Sequence, residues 1–392
     1  MTALVIASLA CAAWVYVLLM RGGFWRAAER DDVEEITPSL RGTWPHVVAI
    51  VPARDEAEVI ATSVTSLLRQ NYPGAFEIVV VDDHSTDGTA TLARAAATTA
   101  GAPVSSRPLI VLSAPRLPDN WTGKLWAMNC GAGYVDAMPE PPDYVLFTDA
   151  DISYSVEALT TLVTRARRDG LVLTSLMAKL RCESWAERAL IPAFIFFFRM
   201  LYPFAWVNRP EDSTAAAAGG CMLVLRQALG DAGGVTVVRG ELIDDCALGR
   251  LMKKQGPIWL GLTHRAHSLR ALRSVAEIRP MISRSAYAQL HYSPWLLIGT
   301  VFAIAVTCLS PPLLVLGTTG ASQWLAAAAW ALMTFSLQPT LRFYGVSRWW
   351  GLMMPAIAGT YLAFTLDSAL RHWRGQGGFW KGRVHHRAPD GR

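Results

Sequence analysis

The sequence predicts an α/β protein with a mostly parallel sheet flanked by helices, and with transmembrane helices at both ends of the chain. Three observations support this prediction. Short β-branched runs alternate with helical patterns from about residue 44 to residue 290. Hydrophobic residues make up 52% of the 392 residues and charged residues only 17%, a balance too apolar for an ordinary soluble protein. The longest uncharged stretches lie near the two termini.

The first element is an uncharged apolar run, residues 3–20, which is long enough to cross a bilayer. Arg21, Arg26 and Arg30 follow it. A cleaved signal peptide is the alternative, but the positive charges lie after the run and no small-residue cleavage site follows. We therefore predict a retained anchor at residues 1–21 in a bacterial-type inner membrane, with the next domain on the cytoplasmic side.

The predicted soluble domain, residues 44–290, begins with alternating strands and helices. The stretches predicted as strands are 46–51, 76–81, 109–112 and 144–148, and those predicted as helices are 56–70, 85–99 and 124–138. Strand–helix–strand repetition gives a parallel sheet with helices on both faces. Ligands of such sheets bind at the carboxyl ends of the strands, so the polar residues there are the candidates for a functional site.

A membrane region at residues 293–368 and a basic tail at residues 369–392 complete the chain. The membrane region has three apolar segments, 295–316, 324–341 and 350–366. A cytoplasmic domain and a cytoplasmic tail require an even number of crossings between them. Pro355 and Gly359 interrupt the last segment, so we expect it to be interfacial or re-entrant. We therefore predict two to three membrane segments within residues 293–368.

The charge distribution and the cysteine content argue against a nucleic-acid partner and against a structural zinc ion. The net charge of +5 comes from arginines beside apolar stretches and in the tail, which favours anionic lipid headgroups over a nucleic-acid groove. Six scattered cysteines without a CxxC pair argue against a disulfide framework or a zinc site.

Residues 191–206 are intensely aromatic but contain Arg199 and two prolines. We favour a segment that lies against the bilayer, with a buried core helix as the alternative.

Four acidic motifs stand where predicted strands end or where a helix begins. They are VPARDE at 51–56, VDDHSTDGT at 81–89, FTDAD at 147–151 and ELIDD at 241–245. In the third, two carboxylates one residue apart at a sheet edge can hold a hard divalent cation that bridges two phosphates. Such an ion neutralises the charge that develops on a departing diphosphate. Taken singly, each motif is also explained by turns and helix caps.

Together the four motifs resemble those of the inverting glycosyltransferase family 2, which has the GT-A fold. The resemblance extends to Gly219-Gly220, Arg226, Gly233-Gly234 and the DDCALG sequence at 244–249. It covers roughly residues 44–290, and the block at 79–89 is highly specific. Within that family the chain looks closest to the hopene-associated glycosyltransferases. That narrower similarity rests on WTGKLW at 121–126 and on the tail sequences HWRG at 372–375 and WKGR at 380–383.

This resemblance implies a role for each motif residue. The donor nucleotide sugar would be bound by Pro52, Ala53, Arg54, Glu56, Asp83, Lys124 and Asp149. Asp83 would hold the base of the nucleotide, and Asp151 would ligate Mg²⁺ or Mn²⁺. Asp245 would be the general base that deprotonates the acceptor hydroxyl, with Asp244 beside it in place of the more usual Glu. Arg284 is a further candidate for a diphosphate contact, or else a juxtamembrane arginine that reaches the headgroups.

Two departures from the family pattern bear on turn geometry and on product. Asp55 stands where the family often has Asn, and His84 where it often has Gly, so we expect the local turns to differ. The QxxRW motif of processive polysaccharide synthases is absent after the predicted base. We therefore expect transfer of single sugars rather than synthesis of a polymer.

The sequence thus predicts a membrane-bound, metal-dependent, inverting glycosyltransferase that uses a nucleotide-sugar donor and a lipid acceptor. The narrower similarity implies an acceptor related to hopanoids. A polyprenyl phosphate acceptor and a processive polysaccharide synthase are the alternatives. A nucleotide-binding dehydrogenase is disfavoured because residues 51–58 contain no glycine. An inactive membrane scaffold is also disfavoured, because it would have no use for Lys124 and the motif carboxylates together.

Overall fold

An eight-stranded sheet forms the centre of one of two structural units. The structure, a computed structural model, describes residues 1–32, 43–99, 107–375, 379–380 and 383–384. The sheet unit comprises Glu29–Leu180, Trp206–Arg270 and Phe379–Arg392, and the helical unit comprises Met1–Ala28, Arg181–Ala205 and Ala271–Gly378. This division differs from the continuous domains expected from the sequence, because residues 181–205 and 271–290 belong to the helical unit.

The sheet combines a parallel half with a mixed half. Its strands are β1 (Val47–Ala53), β2 (Phe76–Asp82), β3 (Leu109–Ser113), β4 (Tyr144–Phe147), β5 (Ile152–Tyr154), β6 (Leu173–Lys179), β7 (Met222–Leu225) and β8 (Ile258–Ser268). Their spatial order is β3-β2-β1-β4-β7-β6-β8-β5. Strands β3, β2, β1 and β4 are parallel, as are β6 and β8, whereas β7 and β5 run antiparallel to their neighbours. The predicted α/β fold with a mostly parallel sheet is confirmed.

Fourteen α-helices are present among the described residues. They are α1 (Thr2–Met20), α2 (Ile60–Leu68), α3 (Thr89–Thr99), α4 (Gly123–Asp136), α5 (Ala158–Arg168), α6 (Trp185–Leu201), α7 (Phe204–Val207), α8 (Arg226–Asp231), α9 (Asp244–Lys253), α10 (Val275–Ser283), α11 (Pro294–Ile304), α12 (Ser310–Gly317), α13 (Ala321–Tyr344) and α14 (Met354–Trp373). A π-helical turn, Ala305–Leu309, joins α11 to α12.

Helices cover both faces of the parallel strands, which is why β1 and residues 78–81 of β2 are continuous apolar runs. Every residue of β1 is buried. Val47, Ala49 and Val51 belong to the apolar core that α2 and α3 complete. On the opposite face, a Cβ at Gly131 of α4 would lie 2.5 Å from Cγ2 of Ile50. A glycine at this position therefore permits the close approach of α4 to the sheet.

The helical unit has its own apolar core, and α6 lies within it. Ile191 and Phe196 of α6 are fully buried, and the hydroxyl of Tyr361 in α14 donates to the carbonyl of Leu190 over 2.8 Å. A capping box between Ser184 and Glu187 starts the helix. The core-helix alternative therefore describes α6 within this unit, and contact of residues 191–206 with a bilayer stays a prediction.

Two described helical stretches are long and apolar enough to cross a membrane, by length and composition alone. They are Thr2–Met20 and Pro294–Gly317. The first is the predicted anchor, and the second is the first of the three predicted C-terminal segments. Crossings by residues 324–341 and 350–366 stay predictions. Most of the predicted basic tail, including residues 381–382 of its WKGR sequence, lies outside the described residues.

Candidate active site

The loops after β1 and β2 are held together by reciprocal hydrogen bonds. The backbone N–H of Asp55 donates to Ser85 Oγ over 3.0 Å, and that of Thr86 donates to Asp55 Oδ1 over 2.8 Å. The N–H groups of Glu56 and Ala57 donate to side chains of the second loop, Thr89 Oγ1 and Asp87 Oδ2, over 2.8 and 2.9 Å. These bonds hold both loops out of the helices, so α2 and α3 begin four residues later than the sequence pattern indicates.

Two turn residues of these loops adopt left-handed backbone conformations. Asp55 has a φ of +49° and His84 a φ of +57°. Asn and Gly tolerate this region better than most residues. The expectation that Asp55 and His84 alter the turns is therefore not supported, since both residues take up the conformation that Asn and Gly favour.

Arg54 and Asp83 meet at the carboxyl ends of β1 and β2. The side chain of Asp83 is fully buried, and Arg54 Nη1 lies 3.5 Å from Asp83 Oδ2 and 2.5 Å from its carbonyl oxygen. The N–H of Asp83 donates to the carbonyl of Ala53 over 2.8 Å, and Pro52 pairs with Val81 in the sheet. The structure thus brings Pro52, Ala53, Arg54 and Asp83 together, and their binding of a nucleotide base stays a prediction.

Lys124 joins two other predicted residues from distant parts of the sequence. It lies in the first turn of α4, where Thr122 caps the helix by accepting from the N–H of Leu125. Lys124 Nζ is 2.8 Å from Asp149 Oδ1 and 3.0 Å from Asp244 Oδ2. Burial lowers the pKa of Lys124, but the nearby carboxylates outweigh it and raise that pKa well above its usual value. Lys124 is therefore a fixed cation.

Asp245 lies beside this cluster at the start of α9. Its Oδ2 accepts from the N–H of Gly219 over 3.0 Å, and its Oδ1 accepts from the N–H of Cys246 over 2.7 Å. Burial and the negative charge of Asp244 raise the pKa of Asp245 to about 6, against the opposing effect of Lys124. A carboxylate with this pKa accepts a proton near neutral pH more readily than an ordinary aspartate does.

Gly219 permits this arrangement because it has no side chain. A Cβ at this position would lie 3.0 Å from Lys124 Nζ and 3.5 Å from Asp245 Oδ2. The backbone of the predicted Gly219-Gly220 motif therefore approaches both charged groups directly. This close approach is a physical reason for a glycine at position 219.

Arg270 is a site residue that sequence reasoning missed. Its Nη2 lies 2.8 Å from both carboxylate oxygens of Glu56, and its Nε lies 3.3 Å from Asp151 Oδ2. Ser268 Oγ also donates to Asp151 Oδ2, over 3.1 Å. Arg270 follows the end of β8, so recognition of that strand would have placed it among the strand-end candidates. β8 was not among the predicted strands.

Arg284 belongs to the helical unit. It is an exposed residue directly after α10. The other predicted site residues all belong to the sheet unit. A contact between Arg284 and the diphosphate stays a prediction.

The carboxylates fit a divalent cation only in the company of a diphosphate. Asp151 Oδ1 makes no hydrogen bond within the described part of the chain, but the same part has no group of three or more His, Cys, Asp or Glu that could hold a metal ion. Five carboxylates, on Glu56, Asp149, Asp151, Asp244 and Asp245, face two cations, on Lys124 and Arg270, which leaves a formal charge of −3. Magnesium commonly takes one or two carboxylates together with substrate phosphates. Asp151 suits that role.

Comparisons with known proteins bear on the family and the fold of this chain. Residues 48–233, from the second residue of β1 to beyond β7, match the family model described as Glycosyl transferase family 2. A mannosyltransferase from Pyrobaculum calidifontis, solved in complex with GDP-Man and Mn²⁺, is 18% identical over 94% of this chain and 99% of its own, with a TM-score of 0.54. This likeness shows an α/β fold of the GT-A type.

A glucosyl-3-phosphoglycerate synthase from M. tuberculosis is 20% identical over 62% of this chain and 80% of its own, with a TM-score of 0.37. No protein of curated function matches the chain significantly.

Proposed function

We propose that this protein is an inverting glycosyltransferase that moves one sugar from a nucleotide-sugar donor to a lipid acceptor. The family 2 match and the fold support a nucleotide-sugar transferase. The observation that carries the proposal is the placement of Asp245, with its raised pKa, beside the Lys124–Asp149–Asp244 cluster. A proton acceptor next to a fixed cation suits attack by a hydroxyl and departure of an anion.

In this proposal the donor lies across the strand ends. Asp83 and Arg54 hold the base, with the backbone of Pro52 and Ala53 lining the same pocket. Asp149 contacts the sugar or ribose. Lys124 offers an ammonium group to the diphosphate as a point charge.

The transfer step is a direct displacement. Asp245 takes the proton from the acceptor hydroxyl while the oxygen of that hydroxyl forms a bond to the anomeric carbon. The bond from that carbon to the diphosphate oxygen breaks on the opposite side, which inverts the configuration. A divalent cation bound to Asp151 supplies charge stabilisation for the leaving diphosphate. Lys124 stabilises the same charge from its place in α4.

The lipid acceptor is supported by composition and by two apolar helices rather than by a bound ligand. The narrower similarity to hopene-associated enzymes favours a hopanoid-related lipid in the inner membrane. A polyprenyl phosphate is the second candidate, since it also offers a nucleophilic oxygen at a membrane surface.

Product analysis tests this function. Full-length protein in detergent is incubated with Mn²⁺, with UDP and GDP sugars in turn, and with extracted hopanoid or polyprenyl phosphate lipids. We expect one lipid class to gain the mass of a single sugar, and Asp245→Asn protein to give none. A ladder of sugar additions would contradict single transfer, and a lack of product with every donor and lipid would contradict the proposal.

The pH dependence of transfer tests the proposed base. Because Asp245 works as a carboxylate and its pKa is about 6, kcat/KM is expected to fall as the pH falls through about 6. Asp244→Asn removes the neighbouring negative charge and lowers the pKa of Asp245. The acidic fall in its pH profile is therefore expected at a lower pH. Profiles that fall at the same pH in both proteins would contradict this assignment.

Topology is the test of the membrane part. Arg21, Arg26 and the basic tail favour a cytoplasmic sheet unit and a cytoplasmic C-terminus. A reporter fused after residue 392 should be active in the cytoplasm. Activity only in the periplasm would mean an odd number of crossings after the sheet unit.

A further inference from the structure

The contacts of Arg270 place a cation on the carboxylate proposed for the metal. Its guanidinium joins Glu56, in the loop after β1, to Asp151, just before β5. The two acids are mostly buried, with 12% and 15% of their side chains exposed, whereas 43% of the Arg270 side chain is exposed. The arginine can therefore turn toward solvent or toward a ligand, while the acids are fixed.

A metal ion and Arg270 compete for Asp151. Arg270 Nε lies 3.3 Å from Asp151 Oδ2. A divalent ion ligated by the same carboxylate, at the usual distance of about 2.1 Å, stands within a few ångströms of the guanidinium, where like charges repel strongly. The metal alone therefore meets a carboxylate whose charge Arg270 already offsets in part.

A diphosphate removes this conflict. Its negative charges offset the added cation, and its oxygens are ligands for the metal and hydrogen-bond acceptors for a guanidinium. Arginine pairs with phosphate in a strong, charge-assisted geometry. Arg270 can then exchange Asp151 for the diphosphate and keep Glu56.

We infer that Arg270 is an internal competitor of the metal at Asp151, so that the divalent cation binds together with the nucleotide diphosphate and only weakly by itself. This inference rests on the proposed function for the identity of the ligand. It assigns to Arg270 a positioning role that also sets the order of binding. The protein would then hold little metal before the nucleotide diphosphate binds.

Binding of Mn²⁺ in the absence of turnover tests the inference. Free Mn²⁺ is measured by electron paramagnetic resonance during titration of full-length protein, first without nucleotide and then with UDP or GDP. Wild-type protein should bind Mn²⁺ weakly alone and much more tightly with one of the two nucleotides. Arg270→Gln removes the competing charge and should tighten binding of Mn²⁺ alone by about tenfold.

Three variants control this measurement. Arg168→Gln is matched, because Arg168 is also 43% exposed and pairs with a carboxylate, Asp169, outside the site. It should bind Mn²⁺ as the wild type does. Arg270→Lys keeps the charge and should also bind Mn²⁺ weakly. Adding Asp151→Asn to Arg270→Gln should abolish the gain, and thermal unfolding checks that each variant is folded.

Equal affinity for Mn²⁺ alone in folded Arg270→Gln and wild-type protein would overturn the inference. So would a gain in affinity that survives Asp151→Asn, since the metal would then bind elsewhere. The proposed function fails separately. A protein that gains Mn²⁺ binding in Arg270→Gln but transfers no sugar contradicts the transferase assignment and leaves the competition at Asp151 standing.

Discussion

Asp245→Asn is expected to lower sugar transfer by about a hundred- to ten-thousand-fold, the range typical of a lost general base. Asn keeps the size of the side chain and can still accept from the N–H of Gly219 or Cys246, but it cannot take up the hydroxyl proton. Donor affinity should change little, because the donor contacts proposed for Asp83 and Lys124 are untouched. Steady-state kinetics together with titration of the donor separates the two effects.

Asp244→Asn is the matched control for this prediction. Asp244 pairs with Lys124, so its loss should weaken the fixed cation's placement and reduce the rate by less than Asp245→Asn does. If Asp244→Asn is inactive and Asp245→Asn retains near-full transfer, the two roles are exchanged. If both variants remain active, displacement assisted by this acidic pair is wrong.

Thermal unfolding gives the same variant a readout that needs no substrate. The folded protein raises the pKa of Asp245 to about 6, against about 3.9 in an unfolded chain. The ionised carboxyl therefore destabilises the fold above pH 6, and this cost disappears below about pH 3.9, where both states are protonated. Asp245→Asn should unfold at a higher temperature than the wild type at pH 8, and at a similar temperature near pH 4.

Chelation is expected to abolish transfer, and added Mn²⁺ or Mg²⁺ to restore it. The site carries a formal charge of −3 before a diphosphate enters, so a donor without a divalent cation meets net repulsion. Transfer is measured with EDTA, after removal of EDTA, and after addition of each metal. Undiminished turnover in EDTA would remove the metal from the proposal and leave side-chain cations such as Lys124 and Arg270 to offset the charge of the diphosphate.

The chelation experiment also has a structural control. The described part of the chain holds no cluster of metal-binding side chains, so EDTA should leave the unfolding temperature of the donor-free protein unchanged. A large fall in that temperature would indicate that the metal supports the fold rather than the reaction.

The parallel half of the sheet was predictable because its strands are buried on both faces. β1 and residues 78–81 of β2 are uninterrupted apolar runs followed by polar motifs, so the ends of both strands and most site residues could be located. β5 to β8 were not predicted. β5 has three residues and β7 four, and both pair antiparallel with strands that are distant in sequence. Such pairing leaves no local pattern, and Arg270 was missed with β8.

Lys124 shows what sequence could and could not provide at the site. The resemblance assigned it to the donor, but its position contradicts local helix preference, since a cation in the first turn opposes the helix dipole. Only the folded structure shows the carboxylates of Asp149 and Asp244 that hold it there. A local preference overridden in this way is typical of functional sites.

The division of the chain into two interleaved units has a consequence during protein synthesis. Residues 181–205 emerge from the ribosome well before residues 271–378, which supply most of the helical unit. Until then α6 lacks the partners that are synthesised after it, such as Tyr361 of α14, whose ring packs against Phe197. A nascent chain in this state exposes hydrophobic surface that promotes aggregation, so it depends on chaperones or on the membrane-insertion machinery. Truncation at residue 290 would make that exposure permanent, so a soluble fragment of the sheet unit needs residues 181–205 replaced as well.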